Sequence, residues 1–133
     1  MTTPDAKALR KALKEAGYRP AQISVRTAWA STEYGLRVTV RSSHIRLAEV
    51  KRIAAAFRIP HKRYVFVQYS PEAQQEIIRR HKEAIETLQP GEYMTHHKMV
   101  IRRLTEQSWR TEFEDGPTIN GPAIDTAYRM AVN

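Results

Sequence analysis

The chain has no cysteine. Disulfide frameworks, thiolate nucleophiles and cysteine-ligated zinc are excluded at once, and the composition fits a reducing compartment. Glycine is scarce, five among 133 residues, and none forms a G-x-G-x-x-G or Walker-type phosphate loop. No apolar run approaches the roughly 18 residues that a membrane-spanning helix needs. The opening run MTTPDAKALRKALKEAG lacks the apolar core of a secretory signal. These gaps predict a soluble, cytoplasmic protein with no membrane partner. Acidic residues are also short in one half of the chain: residues 1–66 hold 4 acidic against 14 basic side chains, whereas residues 67–133 hold 10 against 8.

What is present is ordinary for a folded domain, with 41% hydrophobic and 27% charged residues, so the chain can bury a core. The net charge of +8 sits almost entirely in the first half. Such a one-sided distribution draws polyanions or acidic protein surfaces to one end. Phosphate backbones are the commonest partner of that kind, bound largely by counterion release.

Local patterns predict the elements. Thr3-Pro4-Asp5 opens a helix, with Ala6, Leu9, Leu13 and Ala16 on one face, and Gly17 ends it. Ile23 to Trp29 alternates, as do Leu36, Val38 and Val40 with Arg37, Thr39 and Arg41, so two half-buried strands flank a loop over residues 30–35. A second helix covers roughly residues 44–58, either capped by Ser43 or with its regular turns beginning only after Arg46. Tyr64 to Tyr69 is apolar on both faces and is expected in the centre of the sheet. Ser70-Pro71-Glu72 starts a third helix that Gln89-Pro90-Gly91 ends. Met99–Leu104 and Ser108–Phe113 read as a hairpin, with a helix over 95–109 as the rival. Asp115-Gly116-Pro117 and Asn120-Gly121-Pro122 read as turns, and Ala123–Val132 as a closing helix.

The predicted class is α+β: a mainly antiparallel sheet with helices packed on one face, in the order α-β-β-α-β-α and then β-β-α. A single domain over 1–133 is expected, with a basic core over 1–89 and a hairpin plus short helix over 90–133 packed on it.

The run LRKALKEAGYRPAQISVR, followed by GLRVTVR, LAEVKRIAAAF and YVFVQY, resembles one of the large polyvalent protein-associated domains of phages and conjugative plasmids. Leu13-Lys14-Glu15-Ala16 and Ser24-Val25-Arg26 carry the likeness, which covers about residues 5–70. The resemblance implies a mobile-element accessory protein, in a setting where such proteins protect incoming DNA or blunt host defence, as anti-CRISPR inhibitors do. It brings no active site to these positions.

Signs of catalysis are thin. The five histidines, His44, His61, His81, His96 and His97, make no zinc-binding pattern. Adjacent His96 and His97 are expected to point apart, and His81 lies on the apolar stripe of its helix. There is no G-x-S-x-G elbow. The acidic group Glu112, Glu114 and Asp115 and the run Arg79-Arg80-His81-Lys82, interleaved with Glu76, Glu83 and Glu86, read as solvated surface. No cofactor and no metal are expected.

The basic half is where a site is expected. Arg26, Arg37 and Arg41 share the outer face of the first hairpin, which suits phosphate or carboxylate clamping. Lys51, Arg52, Arg58, Lys62 and Arg63 line the second helix and its exit as electrostatic anchors. Tyr34, in the loop, is free to stack on bases, whereas Trp29 and Tyr64 are expected in the core. With no helix-turn-helix, zinc finger or aromatic RNA-reading run, readout would follow shape and charge. The first reading is a non-enzymatic accessory protein that binds nucleic acid or a host nucleoprotein. The second is an interaction module that docks on an acidic partner or self-associates. The third is a small enzyme using His96 or His97.

Overall fold

The computed structural model describes residues 4–30, 33–56 and 64–133, and the backbone alone at positions 4, 29, 30, 33, 34 and 64. Its elements run α1 (Pro4–Glu15), β1 (Ile23–Ala30), β2 (Glu33–Val40), α2 (Leu47–Ala56), β3 (Tyr64–Tyr69), α3 (Pro71–Glu86), β4 (Tyr93–His96), β5 (Met99–Thr105), β6 (Ser108–Phe113), β7 (Thr118–Gly121) and α4 (Ala123–Val132). The α+β class holds. The single sheet does not: one sheet has the order β1-β2-β3 and a second has the order β4-β5-β6-β7. The chain accordingly divides into two compact units, Met1–Gln74 and Gln75–Asn133.

In the first unit, α1 ends at Gly17, whose φ of 101° only glycine adopts without strain; the Tyr18 amide then donates back to the Leu13 carbonyl at 3.1 Å. Ala6, Leu9 and Leu13 are buried against the apolar face of the sheet, where Val25, Leu36, Val38 and Val40 point inward. Leu47, Val50 and Ala54 of α2 complete this core. The later of the two expected starts for α2 is the observed one, and Tyr69 explains it. Its buried hydroxyl donates to the Ile45 carbonyl at 2.7 Å and accepts from the Leu47 amide at 3.0 Å, which pins the first turn.

Three strand expectations are corrected. The β1 and β2 strands run further into the hairpin than alternation suggested, so Tyr34 lies in β2 opposite Trp29 and not in a loop. β3 is not central; it pairs in parallel with β2 alone. Its two apolar faces misled because Phe66 stands on the uncovered side, 51% exposed. Asn120-Gly121 lies in β7 and is not a turn.

The second unit is an antiparallel meander with α4 and the later turns of α3 on one face. The hairpin is β5 and β6, and no helix crosses 95–109. Ile85, Met99, Ile101, Trp109, Ala123 and Met130 form its core. Arg103 is buried there too. Its guanidinium stacks 4.6 Å from the Trp109 ring and donates to the carbonyls of Glu86, Leu88, Thr105 and Glu106. A charge so fully hydrogen-bonded is tolerable where an unpaired one is not.

Candidate nucleic-acid interface

Helices α1 and α2 cover one face of the first sheet, and among the described residues of this unit no helix covers the other. Strand alternation places Ser24, Arg26 and Ala28 of β1 on the open face, with Gly35, Arg37 and Thr39 of β2 and Phe66 and Gln68 of β3. The register aligns them in rows. Arg26 faces Arg37 directly, and Arg37 faces Phe66, so one row across the sheet reads Arg-Arg-Phe. At about 4.8 Å per strand this row is roughly 10 Å long. A second row reads Ser24, Thr39, Gln68.

The ladder fixes the geometry of the arginine pair. The Arg41 amide donates to the Gln22 carbonyl at 2.7 Å. Stepping by two, Ser24–Thr39 and Arg26–Arg37 are then hydrogen-bonded pairs, with Cα atoms about 5.5 Å apart. Like charges directly opposite are destabilising. Arg26, Arg37 and Arg41 are all exposed, and among the described residues no carboxylate is within ion-pair distance of any of them.

The second sheet supplies an internal comparison. Its helix-free face carries a similar row, in which Tyr93, Arg102, Arg110 and Asn120 face one another in turn. There both guanidinium groups have side-chain partners. Arg102 pairs with Glu112 at 3.0 Å and lies over the Tyr93 ring at 4.9 Å, and Arg110 donates to Asn120 Oδ1 at 3.2 Å. Both sheets set two arginines directly opposite each other; in the second both have side-chain partners, one of them a carboxylate, whereas among the described residues Arg26 and Arg37 have no carboxylate partner.

The remaining sequence candidates divide. Lys51 and Arg52 are exposed, but α2 packs on the apolar face of the sheet, so they do not join the Arg26–Arg37 row. Arg58, Lys62 and Arg63 lie outside the described residues, as do the side chains of Tyr34, Trp29 and Tyr64. Phe66 was missed. Its parity with Arg37 becomes visible only once the β2–β3 register is known.

Also missed was a groove along the outer edge of β1, of about 550 Å³, lined by Arg10, Lys11, Lys14 and Arg19 together with Arg26. No acidic side chain lines it. Arg10 reaches across to bond the Val25 carbonyl, one of the edge groups that point away from β2. Tyr18, at the groove wall, donates to Glu49 at 3.2 Å; burial and that carboxylate both push its pKa up.

The histidines are arranged otherwise than expected. His81, His96 and His97 touch in series, edge to face, with ring centroids 4.8 and 4.5 Å apart. His96 and His97 touch because His97 takes a φ of 54° in the β4–β5 turn, which breaks the strand alternation that would separate them. His96 Nε2 lies 3.1 Å from the Met130 carbonyl. His97 shares a shallow depression with Glu112 and Glu114, but Glu112 is held by Arg102. No group of three metal-ligating side chains occurs among the described residues.

No family model matches the chain, and no curated protein or solved structure shows significant similarity to it. No helix among the described residues is long and apolar enough to cross a membrane.

Proposed function

We propose that the helix-free face of the first sheet binds single-stranded nucleic acid, without catalysis and without reading base edges. The observation that carries this reading is Arg26 placed directly opposite Arg37, both exposed and unneutralised by any described carboxylate. A fold that accepts this repulsion gains a site for an anion between the two guanidinium groups. Phe66, next in the row and 51% exposed, adds an aromatic side chain beside the arginines. Only an unpaired base exposes its face to such a ring, so the row favours single strands over duplex. In the mobile-element setting that the sequence resemblance implies, this binding would coat incoming DNA or occupy a nucleic-acid-containing host complex, as a counter-defence inhibitor does.

Fluorescence anisotropy with a labelled single-stranded oligonucleotide tests it. Phe66→Ala is expected to weaken binding by about 1–3 kcal/mol while leaving the salt dependence alone. Arg26→Gln with Arg37→Gln is expected to weaken binding and to flatten the plot of log K against log salt by about 1.4, at roughly 0.7 per phosphate contact. Affinity flat in salt, or unmoved in the double variant, would transfer these arginines to an acidic protein partner.

A further inference from the structure

The basic groove beside β1 has no role in the open-face site just described, yet it shares one residue with it. Arg26 rises from the open face and also lines the groove, together with Arg10, Lys11, Lys14 and Arg19. The two surfaces therefore meet at one guanidinium group. We infer that the groove is a second phosphate-binding segment, and that one nucleic-acid strand crosses Arg37 and Arg26 and then continues around the edge of β1 between that strand and α1. This inference rests on the open-face reading and extends its footprint.

Three features fit a sugar-phosphate backbone. Five cationic side chains converge on a space of about 550 Å³ with no acid among its lining residues, so positive charge predominates there even with Glu49 behind Tyr18. Leu13, Tyr18, Pro20 and Ile23 give the groove apolar wall, which suits sugars and base faces better than free inorganic anions. Arg10 is held in place by its bond to the Val25 carbonyl, so part of its rotamer entropy is lost before any ligand arrives.

A rival role for the same charges is protection of an exposed sheet edge. Cations along an edge strand discourage pairing with another chain. The two roles differ in what they predict. An edge guard affects self-association and leaves strand affinity alone. A phosphate track affects affinity in proportion to the length of strand that reaches it.

The test uses the full chain and two oligonucleotides, one of about four nucleotides and one of about twelve, within the span of single-strand site sizes. The groove variant carries Lys11→Gln, Lys14→Gln and Arg19→Gln, all at exposed positions. Circular dichroism checks the fold of each variant. The longer strand is expected to bind the groove variant at least about tenfold more weakly, with the salt slope reduced by about 2, while the shorter strand binds as to the parent. Unchanged affinity and slope for the longer strand, alongside loss of binding in the Arg26→Gln, Arg37→Gln variant, would overturn the groove and leave the open face standing. Unchanged strand affinity with new self-association, read by light scattering, would also overturn it, in favour of edge protection. Loss in the groove variant with no loss in the open-face variant would instead remove the reading on which this inference depends.

Discussion

On the proposed reading, a single arginine pair separates stability from binding. Arg26 and Arg37 sit in opposed, hydrogen-bonded register, where like charges cost about 0.2–1 kcal/mol. Arg37→Thr removes that repulsion and puts a β-branched residue into the central strand, where it fits well. The variant is therefore expected to unfold at higher urea by a margin equal to a few tenths to 1 kcal/mol, while its affinity for a single strand falls. Urea melts and anisotropy on the same samples check both halves. A variant that is less stable would show that Arg37 has a structural partner, and the binding account would lose its main support. Arg103 is the opposite case. It donates to four main-chain carbonyls and stacks on Trp109, so its charge is committed within the fold and none is left to offer a ligand. Residue type alone does not distinguish these arginines; register and burial do.

At the scale of elements, helices were legible and strand pairing was not. The apolar spacing of Ala6, Leu9 and Leu13, the proline starts at Pro4 and Pro71, and the stop at Gly17 act within one or two turns, so local sequence encodes them. Alternation likewise put Arg26 and Arg37 on one face, as their pairing in the ladder has them; Arg41, expected with them, lies just beyond the end of β2. Alternation carries no information on which strand lies beside which. That is why β3 was expected in the centre and one sheet was expected where there are two. It is also why Phe66 went unnoticed: an apolar residue on an open face is indistinguishable, in sequence, from one facing a core. The histidine cluster shows the same limit, because a positive φ at His97 overrides alternation. The cluster also bears on stability. Burial chiefly, and then the charges of His96, Arg80 and His97, depress the His81 pKa to about 4. Unfolding restores an ordinary value near 6.5. Between these values the unfolded chain binds the extra proton, so the contribution is whole above about pH 6.5 and is lost as pH falls towards 4. His81→Leu is expected to remove this dependence. Urea melts between pH 7 and pH 4 should show the parent losing roughly 1–2 kcal/mol more than the variant, a figure reduced from the full shift because the ring is partly exposed. Parallel curves would mean that His81 is no better shielded than a surface histidine.

For the whole molecule the question is whether net charge or its placement would draw the proposed nucleic acid. The unit Met1–Gln74 holds 14 of the 22 basic residues and 5 of the 14 acidic ones, so a generic attraction of polyanions is expected whatever the site. The two sheets allow the alternatives to be separated with matched changes. Arg26→Gln with Arg37→Gln and Arg102→Gln with Arg110→Gln each remove two positive charges from a directly opposed pair. If net charge governs binding, both variants lose affinity and salt slope alike. If placement governs it, the first loses about 1.4 in slope, at 0.7 per phosphate, and the second stays near the parent. The second pair is already engaged by Glu112, Tyr93 and Asn120, so its removal frees no phosphate site and costs little stability, as exposed ion pairs do. Equal losses from the two pairs would show that the protein attracts polyanions as a diffuse cation, and the open face of the first sheet would no longer be its binding surface.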